Sequence, residues 1–97
     1  MRTIYKYPLN VTDRQTISIK QLNNDGHIAL LKDQVLMIDE QNGAPCIWAM
    51  VDTELQDVSH EIVIHGTGHA CDDVSIDDYV GSFQLYGGSF VGHVFGR

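Results

Sequence analysis

The 97-residue chain lacks the features that would place it in a membrane or on nucleic acid. No apolar run approaches the roughly 20 residues that a helix needs to cross a bilayer. The first ten residues hold no long apolar segment of the kind found in secretory signals. Only six Lys and Arg face thirteen Asp and Glu, and they are scattered. We therefore expect no membrane partner and no direct nucleic-acid binding, because phosphate contacts need clustered cations.

Cysteine is scarce as well, with Cys46 and Cys71 as the two thiols of the chain. Since no secretory signal is evident, we expect a reducing compartment in which both thiols stay free. Cys46 lies within an apolar segment, which predicts a small buried core residue. We therefore read neither cysteine as part of a disulfide framework.

The residues that are present predict a mostly β protein. An apolar fraction of 43% is ordinary for a globular fold, and 97 residues suit a single domain covering residues 1–97. Short apolar segments between turn residues predict strands at 2–8, 15–21, 34–40, 45–52, 60–65, 79–85 and 89–95. Residues 27–33 fit either a return strand or one helical turn, and residues 72–78 fit one helical turn. Seven short antiparallel strands predict a small β-sandwich or a partly open barrel.

The centre of the chain contains the strongest turn signal, Asn42-Gly43. Asn-Gly supplies the positive φ angles of a two-residue hairpin, so residues 34–40 and 45–52 are predicted to pair. Both arms are apolar on both faces, whereas a half-exposed strand would alternate. We therefore expect one face to pack on the rest of the fold and the other on a second layer or subunit. Because twofold dimers are the commonest soluble oligomers, we predict a homodimer.

The stretch HGTGHACDD, from His65 to Asp73, concentrates residue types that carry chemistry. Zinc ligands are mostly His and Cys, which makes His65, His69 and Cys71 a candidate set with Asp72 as a nominal fourth. Two glycines separate the histidines and disfavour the helix that would align them. Neither a Cys-x-x-Cys pair nor an H-E-x-x-H motif is present. We predict a structural turn without metal and keep the metal site as the alternative.

A second alternative for this loop is capture of a small ligand such as a nucleotide. The backbone amides that could cradle a phosphate belong to Gly66, Thr67, Gly68 and His69. The loop contains no Lys, and two aspartates follow it, which opposes an anion. Nucleophilic catalysis by Cys71 would need a base and an orienting acid in good geometry, and no G-x-S-x-G signature is present. We therefore predict no enzymatic activity and no cofactor.

The densest charge in the chain, whose net charge is −7, is a group of four aspartates: Asp72, Asp73, Asp77 and Asp78. They do not fit the calcium loop D-x-[DN]-x-[DN]-G. A solvated loop is the ordinary explanation for such a run. The more specific hypothesis is that the four carboxylates bind a basic surface on another protein.

Four segments carry a resemblance when taken in order: IYKYPL, QNGAPCIWAMVD, GTGH and GSFQLYGGSFVGHVF. Together they resemble a family of short bacteriophage and prophage proteins defined as a domain of unknown function. The resemblance covers most of the chain, but the segment from about residue 19 to 30 is longer than expected, which predicts an extra hairpin there. The resemblance implies no catalytic residues. It implies a viral accessory protein that acts in the bacterial cytoplasm, where such proteins often block a host defence system.

The sequence predicts a non-enzymatic β protein that forms a homodimer and binds another protein with a basic surface, and the resemblance implies that it is phage-encoded and that this partner is a host protein. Inhibition of a bacterial defence system is the expected role. The alternative is a nucleotide-sequestering or metal-dependent protein that uses the loop at residues 65–72.

Overall fold

The computed structural model describes residues 1–24 and 30–97, which form seven antiparallel strands in two sheets. The strands are β1 Arg2–Pro8, β2 Arg14–Lys20, β3 Val35–Gln41, β4 Ala44–Asp52, β5 Asp57–Gly66, β6 Tyr79–Leu85 and β7 Phe90–Gly96. A three-stranded sheet has the order β1-β4-β3, and a four-stranded sheet has the order β2-β5-β7-β6. The two sheets pack around one core without closing into a barrel, which confirms the predicted β-sandwich.

The predicted strand bounds are close to the observed ones because short apolar segments are a local signal. β1 and β6 have the predicted bounds, β4 begins one residue earlier than predicted, and β2, β3 and β7 are each shifted by one residue at both ends. β5 begins at Asp57 rather than at His60. Its first three residues are exposed and show no apolar alternation, and they belong to the sheet through pairing with β2.

Short 3₁₀ turns occupy three of the connections, at Leu31–Asp33, Ile76–Asp78 and Tyr86–Gly88. The first lies in the segment predicted as a strand or a helical turn, and its described part is a helical turn. The extra hairpin predicted between residues 19 and 30 falls partly on residues 25–29, which lie outside the described residues. No helix in the described part of the chain is long and apolar enough to span a membrane.

The central hairpin forms at Asn42-Gly43, as predicted. Asn42 has a φ of +56° and Gly43 a φ of +87°, the positive values that a type I′ turn requires at both positions. β3 then pairs with β4 as far as Val35, with an irregularity between Val35 and Met37. This bulge adds Leu36 to the strand, and Leu36 is exposed.

Alternate residues of β4 point into the sandwich. Ile47, Ala49 and Val51 are fully buried, and they pack in one cluster with Ile62 of β5 and Val94 of β7. Burial of each such Ile or Val side chain contributes about 1.5–3 kcal/mol before conformational entropy is subtracted. This row of β4 therefore joins the two sheets.

Two glycines let neighbouring strands and the two sheets approach closely, because a Cβ at either position would collide with a neighbouring side chain. Gly92 of β7 lies opposite Phe83 of β6, and a Cβ on Gly92 would lie 2.7 Å from the Phe83 Cε1 atom and closer to Cζ. Gly81 of β6 would bring a Cβ within 3.1 Å of Ile38 Cδ1 on the opposite sheet. The Phe83 ring and the Ile38 side chain thus fill the space that these glycines leave.

The other face of the three-stranded sheet has no cover among the described residues. Ile4 and Met37 are each about half exposed, at 53% and 47%, although both lie on strands. The sequence predicted that both faces of the central hairpin would be covered. The four-stranded sheet covers the inner face of the hairpin. That a second layer or subunit covers the outer face stays a prediction.

Candidate functional site

Most of the predicted site residues lie on a connection that crosses the outer face of the four-stranded sheet, the face turned away from the three-stranded sheet. His65 and Gly66 are the last two residues of β5, just before it. We call this connection, residues 67–78, the acidic loop. β5 and β6 both pair antiparallel with β7, so they run parallel to each other and the chain must return between them. β5 ends at Gly66, opposite Gly92, whereas β6 begins at Tyr79, opposite Phe95. The loop therefore folds back along the sheet.

Asp73 fixes the middle of the acidic loop to the sheet. Its Oδ1 accepts a hydrogen bond from His65 Nε2 at 2.8 Å, and its Oδ2 accepts one from Arg14 Nη2 at 2.7 Å. The same guanidinium donates through Nη1 to Glu61 Oε1 at 2.6 Å. These short charge-assisted bonds join β2, β5 and the loop. They place Asp73 in contact with the sheet rather than with solvent alone.

Asp78 fixes the end of the loop. Its Oδ2 accepts a hydrogen bond from Arg97 Nε at 2.9 Å, just before β6 begins. Ser75 begins the 3₁₀ turn by accepting a bond from the Asp77 backbone N–H at 3.2 Å through its Oγ. The loop is thus attached at both Asp73 and Asp78, with a capped turn between the two anchors.

The two anchors shift the pKa of the groups that form them. The hydrogen bond from His65 is the main cause that lowers the pKa of Asp73, and the nearby Arg14 charge acts in the same direction. The hydrogen bond to Asp78 is the main cause that raises the pKa of Arg97. Both shifts favour the charged state, so the anchors persist at neutral pH.

A cavity of about 180 Å³ lies between the anchors, with Arg14 and Arg97 at its rim and Val63 and Phe95 in its wall. Val63 is on the outer face yet only 6% exposed, because the loop covers it. Sites for drug-sized ligands measure roughly 300–1,000 Å³. The cavity is smaller, and the guanidiniums at its rim already pair with carboxylates.

The stretch that begins the loop has the geometry of a tight turn. The His69 backbone N–H donates to the Gly66 carbonyl at 3.1 Å, and Gly68 has a φ of +89°, as a type II turn requires. Gly66 is needed for a different reason, because a Cβ there would lie 3.0 Å from the His69 ring. A positive φ therefore explains the glycine at position 68, and close packing against His69 explains the glycine at position 66.

The same turn uses the amides proposed to hold a phosphate. The Thr67 N–H donates to the Val91 carbonyl at 3.2 Å, and the His69 N–H donates within the turn. Two of the four candidate donors are therefore occupied. The cavity beside His69 measures about 150 Å³, which is small for a nucleotide.

The candidate metal ligands do not converge. His65 points to the outer face, where it meets Asp73. The ring of His69 packs against Gly66, whose Cβ direction is opposite to that of its neighbour His65. Cys71 is exposed and free. In residues 1–24 and 30–97, no three His, Cys, Asp or Glu side chains form a group that could hold a metal ion.

A hydrogen-bonded chain that the sequence analysis missed lies beside the acidic loop. The Tyr79 hydroxyl bonds to Ser82 Oγ, Ser82 Oγ bonds to His93 Nδ1, and His93 Nε2 bonds to Thr67 Oγ1, each at 2.8 Å. Ser82 and His93 resemble a nucleophile and its base. The third position, however, holds a Thr hydroxyl rather than the carboxylate that orients a catalytic His. Only the register of β6 on β7, which places Ser82 opposite His93, could have revealed the chain.

The four aspartates divide into two pairs. Asp73 and Asp78 are anchors of the loop, as described above. Asp72 and Asp77 are exposed and form no ion pair within the described residues. Between them Ile76 is 80% exposed, the highest exposure of any large apolar side chain described. The loop therefore carries a highly exposed Ile side chain in the same segment as two carboxylates that form no ion pair within the described residues.

Comparison with known proteins gives a family and no closer relative. Neither a curated protein nor a solved structure matches the chain. One family model matches the whole of residues 1–97. The chain therefore belongs to the family described as a domain of unknown function, DUF7352.

Proposed function

We propose that this protein acts by binding another protein, and that the acidic loop is its recognition surface. The observation that carries the proposal is the 80% exposure of Ile76 on a loop that Asp73 and Asp78 attach to the sheet. A single exposed apolar side chain is ordinary by itself; an apolar anchor surrounded by polar groups on an attached loop is the arrangement typical of a binding hot spot.

The attachment of the loop lowers the cost of binding. Ordering a mobile loop consumes free energy on association, roughly 0.5–1.5 kcal/mol for each immobilised long side chain. Here the turn that carries Ile76 is capped by Ser75 and followed directly by the Asp78–Arg97 ion pair. The recognition residues are thus held in one arrangement before a partner arrives.

The chemistry of the surface defines the partner. Asp72 and Asp77 favour a cationic surface, and Ile76 needs a small apolar recess within it. A host protein with a basic surface fits this description, and the net charge of −7 supports attraction to it at long range. Of the four aspartates that the sequence predicted to contact a partner, Asp72 and Asp77 are thus the proposed contacts, whereas Asp73 and Asp78 attach the loop to the sheet.

The biological setting of the proposal comes from the resemblance to phage and prophage proteins. In that setting the protein is a phage-encoded accessory protein in the bacterial cytoplasm, and its partner belongs to a host defence system. It acts without catalysis and as a homodimer. The segments IYKYPL and FQLYGG and their order in the chain support the setting.

The test is capture of a partner from a bacterial lysate, followed by binding kinetics with the captured protein. Asp72→Asn together with Asp77→Asn should slow association and reduce its salt dependence, because electrostatic steering acts on the on-rate. Ile76→Ser should speed dissociation. A control with the same charge change at Asp33 and Glu54, both exposed, should leave the kinetics near those of the wild type.

The proposal fails if the Asp72 and Asp77 variant and the Ile76 variant both bind the captured protein as the wild type does. Thermal unfolding of each variant shows whether the fold is intact. Asp73→Asn and Asp78→Asn are unsuitable as binding variants, since they detach the loop.

A further inference from the structure

The outer face of the three-stranded sheet is an apolar surface that the described residues leave uncovered. We call it the outer sheet face, and its apolar members are Ile4, Leu36, Met37, Trp48 and Met50. Strand alternation places Ile4, Trp48 and Met50 on this side, because their neighbours Ala49 and Val51 face the core. Soluble monomers rarely expose a contiguous apolar sheet face of this kind.

Charged residues are distributed unequally across the outer sheet face. β1 on one side carries Arg2 and Lys6, whereas β3 on the other side carries Asp39. Asp52 at the end of β4 is already paired with the N-terminal ammonium at 3.2 Å and lies opposite Arg2. The apolar row of β4 lies between them. Lys6 Nζ reaches across β4 to the Gln41 side chain, and since an ammonium has three donors, two remain for another partner.

We infer that the outer sheet face binds a second copy of this chain, with the twofold axis parallel to the strands. Such an axis lays β4 on the partner's β4 and lays β1 over the partner's β3. In the sheet, Lys6 lies in the same row as Trp48 and Met37. Asp39 is the next residue of β3 after Met37 that faces outward, two positions along the strand. Each Lys6 therefore approaches the partner's Asp39, and the two Trp48 rings meet near the axis.

The charge distribution selects this axis over the alternative. A twofold axis across the strands would lay β1 on the partner's β1 and bring Lys6 to the partner's Lys6. Like charges that face each other across an interface oppose association, whereas the axis along the strands creates two opposite-charge contacts.

The size of the face sets the expected strength of the dimer. Three strands of seven residues cover roughly 14 Å by 24 Å, so the pair would bury on the order of 700–1,000 Å². Specific stable complexes bury about 1,200–2,000 Å². We expect a reversible dimer with a dissociation constant on the order of 10 µM.

Sedimentation equilibrium of the wild type and of charge-swapped variants tests the inference. Lys6→Asp alone or Asp39→Lys alone places like charges at both contacts and should raise the dissociation constant at least about tenfold. An equimolar mixture of the two variants restores both opposite-charge contacts in a heterodimer. The mixture should therefore associate within about threefold of the wild-type constant.

The matched control is Ile76→Ser, which removes an exposed apolar side chain in the acidic loop, away from the outer sheet face, and should leave dimerisation unchanged. This control also separates the dimer from the proposed recognition surface, since either can fail without the other. Thermal unfolding confirms that each variant is folded. The inference is overturned if the wild type stays monomeric up to about 300 µM, or if the mixed variants remain as dissociated as each one alone.

Discussion

Replacement of Gly92 by alanine tests the packing of β6 on β7. The added methyl group would lie 2.7 Å from Phe83 Cε1 and closer to Cζ, so the ring or the strand must move. Phe83 is only 3% exposed and packs in the core, which leaves its ring little room to move. The substitution therefore overpacks a site that is already full.

The magnitude follows from two opposing effects. Overpacking a core costs about 1–3 kcal/mol. Alanine also restricts the unfolded chain, which returns about 0.4–1 kcal/mol where the native φ is compatible. We expect a net loss of about 1–2 kcal/mol in the free energy of unfolding. For a domain of this size the midpoint of thermal unfolding then falls by about 4–16 °C.

Urea unfolding followed by circular dichroism measures the loss, and a double-mutant cycle with Phe83→Leu assigns its cause. Removing the ring should relieve the clash, so Gly92→Ala should cost little in the Phe83→Leu background. An unchanged denaturant slope would show that the unfolded state is the same. The reasoning is refuted if Gly92→Ala costs less than about 0.3 kcal/mol, or costs the same with and without the ring.

Three further substitutions test a buried amide, a loop anchor and a turn. Gln34→Ala should cost about 1–3 kcal/mol in urea unfolding, because the buried Gln34 amide donates to two backbone carbonyls that would lose their partner. Because the pKa of Asp73 is lowered in the folded protein, its ionised carboxylate stabilises the fold. This contribution is fully present above the ordinary pKa of 3.8 and is lost as the pH falls through the lower pKa of the folded state. Asp73→Asn should thus flatten the acid side of the stability profile, measured by thermal unfolding, whereas Asp72→Asn should not. Gly66→Ala should destabilise the wild type in the same assay but have a smaller effect together with His69→Ala, since the His69 ring at 3.0 Å is the nearest group to the new methyl, with Phe90 Cε1 at 3.3 Å.

Most of the fold could be predicted because its signals are local. Asn42-Gly43 specifies a hairpin turn by backbone conformation alone, and apolar segments mark the strands on either side of it. The start of β5 at Asp57 was missed because three exposed residues there carry no apolar pattern. They join the sheet through backbone hydrogen bonds to β2, which any sequence can form.

The candidate site could be predicted only in part, because its contacts join distant residues. The sequence identified the acidic run but gave the four aspartates one role. Arg14 lies 59 positions before Asp73, and nothing local indicates that they pair. The chain of hydroxyls through His93 depends on strand register in the same way. The sequence shows which residue types a loop contains. It does not show which distant residues pair with them, and those pairs decide which aspartates attach the loop to the sheet.

The position of β7 has a consequence for the order in which the protein can form. β7 is the last strand in the sequence, yet it lies between β5 and β6 in the four-stranded sheet. During synthesis the hairpin of β3 and β4 can pair at once, and β2 can meet β5, but β6 has no sheet partner until β7 follows it. The acidic loop joins β5 to β6, so it cannot adopt its anchored form before that last strand is in place. Assembly of the recognition surface is thus delayed until the rest of the sandwich is complete, and a partially made chain would not display it.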